Sequence, residues 1–448
     1  MSIVATPFLK QAELFARGLG MNAPRIAHYP GVPMTDSVDT VTSKVVTDLM
    51  PQILQGLAVA EAEPASDQAS GLRAMTDIVF RGTLAQVQEH FLEREWSDGL
   101  PVMPPTLHAV SRFLNHTDRD AQEVIGVLQP DNRQATVWNV AVNGVMAGCR
   151  PEYMPILLAI VDAISDPKFR LEDAGATPGW EPLVVISGPL VRQLDFNSGA
   201  GAMRAGRQAN SSIGRFVRLY IRNIAGSRIL PTGSDKGSIG ANFHVVLAED
   251  EAAVAQLGWQ PFSVDEGFSA TDTVVSVQSV VCVSPPIYSA GTTARSHMDL
   301  IAAVAADTMR YWSFTAFNQG RSYPLLVLGP AVAAAIAQDG WDKDRIRNYL
   351  QEKLQMPASL AEHYAWHLGF TSFSLAEQVR LGVLDARYAA SSDSDRMVPM
   401  LGQAQWLGIV LSGDPGRNQS KLLVNNHVHG ARTSRKVQLP SRHAIQDL

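Results

Sequence analysis

Cysteine is nearly absent from this chain: Cys149 and Cys282 are the only two in 448 residues. That excludes a disulfide scaffold and suits a reducing compartment. Long apolar runs are missing as well. The longest, such as Leu300–Ala306 and Leu325–Ile336, fall short of the roughly 20 residues a membrane helix needs. The opening MSIVATPFLKQAELFARG lacks the apolar core and small-residue cleavage site of a signal peptide. The expectation is a cytoplasmic protein without a membrane partner. A dominant charge is also lacking. The net charge is -6, with acids and bases mixed along the chain, which gives no electrostatic case for nucleic acid. What is present is a globular composition, 46% hydrophobic and 18% charged, with length and apolar content for two or three domains.

Periodicity places the elements. Residues 1–58 read as strand, helix, strand, helix: Ser2–Ala5, then Phe8–Leu19 with Leu9, Leu14, Phe15 and Leu19 at helical spacing, then Arg25–His28, then Val38–Leu57. That order is half of a parallel α/β domain, and two strands cannot bury both faces of their own sheet. Residues 59–72, centred on EAEPASDQASG, form a linker of small and polar residues. Residues 73–440 read as one large α/β domain, with α+β open as an alternative, and 441–448 as a C-terminal tail. Within the large domain three apolar runs each end in a Gly/Pro turn: Leu183–Ser187, Leu325–Leu328 and Leu407–Ser412. The pattern suggests a mixed central sheet with its turns at one edge.

The residues able to do chemistry fall in several places. Cys149 is followed by Arg150, and a neighbouring arginine favours the thiolate of a nucleophile or redox thiol; a buried small residue is the alternative. Cys282 lies in a β-rich apolar run and reads as core. The segment Asp195–Arg215, DFNSGAGAMRAGRQANSSIGR, feeds glycines and Arg204, Arg207 and Arg215 into a helix start. That combination can hold an anion on backbone N–H groups and guanidinium forks, although it is neither a Walker loop nor a dinucleotide fingerprint. Asn197, Ser198 and Asn210 are its polar members. The turn GDPGRNQ places Asp414, Arg417, Asn418 and Gln419 at a strand end, where open α/β sheets bind ligands. Two histidine pairs, His363/His367 and His427/His429, have spacings that can hold zinc or iron. The sequence names no cofactor.

Several of these stretches together resemble the UGSC family of selenoprotein-related oxidoreductases: WSDGLPVMPPT (96–106), EVIGVLQP (123–130), NGVMAGCRPEYMP (143–155), NSGAGAM (197–203), ANSSIGR (209–215), SDKGSIG (234–240) and the GDPGRNQ turn (413–419). The resemblance covers most of residues 85–435. It implies an N-terminal α/β domain similar to component B of the glycine and betaine reductases, carrying a Sec/Cys-Gly-Ser-Cys motif. Residues 1–58 resemble only the second half of that domain, and the redox motif is absent here. The resemblance thus implies a small partner subunit that completes the N-terminal domain; completion by a second copy of the chain is the alternative.

The resulting expectation is an enzyme subunit acting on a small anionic molecule by thiol-based or reductive chemistry. Cys149, Asp98 and Asp414 are the catalytic candidates, with Asp98 in the loop Asp98–Pro105. Asn197, Ser198, Arg204, Arg207, Asn210, Arg215, Arg417, Asn418 and Gln419 are the substrate-binding candidates. A metal-dependent lyase or hydrolase using the paired histidines, and a non-catalytic subunit shaping a partner's active site, stand as alternatives.

Overall fold

The computed structural model describes residues 2–18, 24–58, 76–173, 179–229, 232–235, 237, 239, 244–313, 317, 322–425 and 430–441. The fold is α/β, and the chain divides into two compact units. The first comprises Met1–Asp77 with Pro357–Arg396, and the second Ile78–Met356 with Met397–Leu448. The segment Pro357–Arg396, which the sequence reading places in the large domain, thus groups with the N-terminal residues. The expected linker at 59–72 lies outside the described residues.

In the first unit β1 (Ser2–Ala5) pairs in parallel with β2 (Ile26–Tyr29), from Ser2 opposite Ile26 to Ala5 opposite Tyr29. The crossover helix α1 spans Leu9–Gly18. After β2, Asp36 accepts from Tyr29 Oη at 2.6 Å and Lys44 Nζ at 2.7 Å, which fixes the turn into α2 (Val38–Lys44). Ser37 caps that helix through the Thr40 N–H. A π turn at Val45–Leu49 leads into α3, Met50–Ala58. Ile3, Phe8, Val38, Val46, Met50, Leu54 and Leu57 are exposed, the apolar surplus expected of two strands that cannot cover both sheet faces.

The second unit opens with α4 (Leu84–Glu93), started by a Thr83/Gln86 capping box. Helix α5 (Leu107–Leu114), the hairpin β3 (Val124–Leu128) and β4 (Arg133–Thr136), α6 (Val137–Met146) and α7 (Met154–Ile164) follow. Then come β5 (Glu181–Ser187), the short α8 (Leu190–Gln193), α9 (Gln208–Tyr220), β6 (Leu247–Ala248), β7 (Val274–Val280), β8 (Cys282–Val283), β9 (Ile287–Tyr288) and β10 (Leu325–Leu328). The unit's last strands are β11 (Gln355–Pro357), paired with β12 (Met397–Pro399), then β13 (Gly408–Leu411), β14 (Gln419–Val424) and β15 (Thr433–Lys436).

Two mixed sheets organise this unit. One runs β15-β7-β5-β6, with β5 antiparallel to β7 and parallel to β6. The other runs β13-β10-β14-β8, with β9 also on β14. The three Gly/Pro-ended runs therefore do not share one sheet: β10 and β13 are parallel neighbours, while β5 belongs to the other layer. All seven residues of β5 are buried, and its alternation shows why. Leu183 and Val185 join Leu247, Leu325, Val327, Val410 and Leu423 between the sheets. Val184 and Ile186 face the opposite way into a core shared with Val140, Ile160, Phe216 and Tyr220 from α6, α7 and α9. Each such aliphatic side chain contributes roughly 1.5–3 kcal/mol by leaving water. The order of layers is helices, sheet, sheet, helices, the last layer including Ala294–Arg310 and Pro330–Gln338 on β14.

Candidate functional site

Helix α9 organises this region of the second unit, because its two faces have different tasks. Ile213, Phe216, Val217 and Tyr220 are buried in the core. Arg215, Arg218 and Arg222 recur at helical spacing on another side. Gly214 sits against the segment leading into β6. A Cβ there would stand 2.5–2.6 Å from the carbonyl group of His244 and the nitrogen of Val245, so only glycine permits this approach. Asn210, fully buried, fixes the start of the helix: its Nδ2 donates to the Asn197 and Val246 carbonyls, and its Oδ1 accepts from the Asn197 N–H.

Arg215 Nε donates to Asp98 Oδ2 at 2.9 Å and its Nη2 to Asp98 Oδ1 at 2.7 Å. The same Nη2 reaches the carbonyl of Pro101 at 2.9 Å. This two-pronged pair is the strong form of the interaction, and it anchors the loop that Ser97 and Gly99 turn. Burial alone would raise the Asp98 carboxyl, but the Arg215 hydrogen bonds and charge outweigh it and hold it below the ordinary range. Asp98 is therefore a fixed anion committed to Arg215.

Cys149 belongs to the same neighbourhood, but not as a thiolate. The Arg150 guanidinium lies 3.5 Å from Glu152 and over the Tyr153 ring. Burial pushes the Cys149 thiol up to about 12, against weaker opposing effects of Ser212 and Arg215. The expectation that Arg150 lowers it is thus corrected: desolvation of a buried sulfur wins over a neighbouring arginine whose charge is used elsewhere. Cys282 is half-buried, and burial raises its thiol too.

The remaining candidates divide between structural ties and exposed surface. Ser198 joins two of the expected segments, its carbonyl accepting from the Gly413 N–H at 2.8 Å and Ser412 Oγ at 3.0 Å. Asn197 closes its own turn through Gly199 and Ala200. Arg207 pairs with Asp195 at 2.8 Å in the open, and Arg204 is exposed. Asp414 Oδ1 accepts from the Gly416 N–H, so its carboxylate serves its own turn. Arg417 and Asn418 are exposed, and Gln419 begins β14 opposite Tyr288. His363 and His367 are exposed with ring centroids 4.3 Å apart; His427 and His429 lie outside the described residues. Among the described residues no three potential ligands gather around a metal position.

The side chains that sequence reading missed lie one turn further along α9. Arg218 Nη2 is 2.8 Å from Asp235 Oδ2 and 3.7 Å from Glu181 Oε1. Glu181, the first residue of β5, is 4% exposed, and its Oε2 has no hydrogen-bond partner among the described residues. Burial raises its carboxyl to about 7, with Arg218 opposing and Asp235 adding to the rise. His244 stands in the segment running into β6. Burial lowers its imidazole below the ordinary value, with Arg218 and Arg215 adding to the fall and Asp98 opposing it. Its Nε2 is buried and unpartnered among the described residues, as are Trp180 Nε1, Ser227 Oγ and Arg228 Nε nearby along the chain. Buried polar groups are nearly always satisfied, so the unpartnered Glu181 Oε2 and His244 Nε2, both acted on by the Arg218 charge, are the atoms here able to meet a polar group. The available signal was the i, i+3, i+7 arginine spacing, together with a glutamate opening an otherwise apolar strand. No family model, curated protein or solved structure matches this chain. No helix among the described residues is long and apolar enough to cross a membrane.

Proposed function

We propose that the chain is an enzyme subunit that binds a small oxyanion-bearing molecule along the arginine side of α9 and exchanges a proton with it through Glu181. The observation that carries this reading is the Glu181 carboxyl: buried, raised to about 7, and 3.7 Å from an arginine that another carboxylate already holds at 2.8 Å. A carboxyl that titrates near neutrality can both give and take a proton at working pH. Arg218 supplies charge-assisted donors for an oxyanion. Neutral His244 adds a ring nitrogen that can donate or accept, while Asp98 holds Arg215 and the 97–101 loop in place.

This reading moves the chemistry from the thiol to the carboxyl. Cys149 stays protonated at neutral pH, so thiol or reductive chemistry would reside on a partner. The exposed apolar residues of β1, α2 and α3 and the residues between those helices support a subunit docked on the N-terminal unit, as the UGSC resemblance implies.

The test is isothermal calorimetry of a panel of small carboxylates, sulfate and phosphate against the wild-type protein and Arg218→Gln. Binding by the wild type that weakens at least tenfold in the variant supports the site. Equal binding by both places the anion elsewhere.

A further inference from the structure

We infer that this site takes up its oxyanion together with one proton, which comes to rest on Glu181. The inference builds on the oxyanion reading above and adds its proton balance.

The charges around Glu181 set that balance. Arg218 faces it from α9, with Arg215 one turn before and Arg222 one turn after. Asp235 faces it from the 232–235 segment, and Arg228 precedes that segment, its carbonyl accepting the Asp235 N–H at 2.9 Å. His244 comes from the segment leading into β6, three residues before Leu247, which pairs with Val185. From β7 the residue opposite is Val280, which is apolar. Asp98 takes Arg215 and Asp235 takes Arg218, one carboxylate to one guanidinium. Among the described residues Arg218 is the one cation acting on Glu181 and Asp235 already holds it, so an ionised Glu181 has only a share of that cation in a desolvated place, and an arriving oxyanion on Arg218 would be a further anion beside it. Two anions that share one cation cannot both stay charged at that separation.

A protonated Glu181 removes the conflict and contributes a bond. Oε1 is the oxygen nearer Arg218, and Oε2 is the unpartnered one. An O–H on Oε2 is a donor with no acceptor among the described residues, and it can donate to a ligand oxygen that also accepts from Arg218. The ligand class is thus an oxyanion with at least two free oxygens, a carboxylate or a sulfate- or phosphate-like group. No covalent bond changes: one proton moves from solvent to the Glu181 carboxylate as the anion enters.

Sulfate is the probe for the test, because it does not titrate in the range studied. Calorimetry of wild-type protein with sulfate, in two buffers of different ionisation enthalpy, is expected to show uptake of about one proton per sulfate near pH 8.5. The apparent Kd is expected to weaken roughly eight- to tenfold between about pH 7.5 and 8.5, the slope of one coupled proton. Glu181→Gln keeps sulfate binding but loses this pH dependence, and Arg218→Gln loses binding throughout. Sulfate bound by the wild type without proton uptake, or an unchanged pH slope in Glu181→Gln, overturns the proton coupling and leaves the oxyanion site standing. Failure of the wild type to bind sulfate at any pH, even near pH 6, overturns the oxyanion site itself. The buffer comparison needs no variant, so a misfolded Glu181→Gln does not block the test.

Discussion

Replacing Glu181 with glutamine keeps its shape and removes its charge, so it isolates the cost of a buried carboxylate. In the fold the carboxyl is raised from 4.5 to about 7 by burial, only partly offset by Arg218. The unfolded chain releases that proton near the ordinary value, whereas the folded chain holds it until about 7. Glu181 therefore costs the fold nothing below the unfolded value; stability is lost as pH rises through this window and stays lost above it. A shift of this size is worth about 3 kcal/mol, at roughly 1.4 kcal/mol per unit. The expected result is that Glu181→Gln has nearly wild-type stability near pH 4.5 and is more stable than wild type by about 3 kcal/mol near pH 8.5. Urea denaturation of both proteins at the two pH values, followed by circular dichroism, reads this directly. The comparison between variant and wild type cancels every other titrating group. A variant-to-wild-type difference that is the same at both pH values would refute the claim that burial governs this carboxyl, and with it the charge argument for the site.

Three further outcomes follow from the same structure. With its thiol pushed up to about 12, Cys149 should resist thiol reagents near pH 8 until urea unfolds the chain, and Cys149→Ala should retain sulfate binding; rapid native labelling at Cys149 would reverse the reading of a neutral core thiol. Asp98→Ala strips Arg215 of its two-pronged carboxylate and should cost about 2–3 kcal/mol in urea denaturation, at the low side of buried pairs because Arg215 is partly open to solvent. Gly214→Ala forces a methyl against the His244 carbonyl and should destabilise by roughly 1–3 kcal/mol while weakening sulfate binding; a silent substitution would show that the helix and that segment have room to part.

Much of the fold was legible because it rests on local periodicity. The strands Ser2–Ala5 and Leu325–Leu328 and the helical stretch from Val38 fall where apolar spacing puts them. The division of the Gly/Pro-ended strands between two sheets was not legible, since β5 and β10 have the same local pattern and differ only in their distant partners. The site was half legible for a related reason. The stretch Asp195–Arg215 stood out through its glycines, amides and arginines, yet those residues mostly tie the backbone or lie exposed. Glu181 was concealed: a glutamate at the head of EPLVVIS reads as a polar strand boundary, and only the packing of α9 across β5 and β6 makes it a buried acid. Arg150 misled in the opposite sense, since adjacency in sequence to Cys149 promised an influence that its bond to Glu152 removes.

Strand β5 has no spare face: one set of its side chains fills the space between the sheets, and the other fills the helical layer. Its first residue is thereby held like a fixture mounted on a wall common to two rooms. Drift in Glu181's position would have to disturb both cores together, so this end of the site is poorly placed to adapt. Altered ligand preference would come more easily from the positions of the neighbouring 97–101 and 232–235 segments other than Asp98 and Asp235, which hold the arginines. Relatives of this chain that bind a different oxyanion should therefore keep the strand, Asp98 and Asp235 and vary the rest of those two loops.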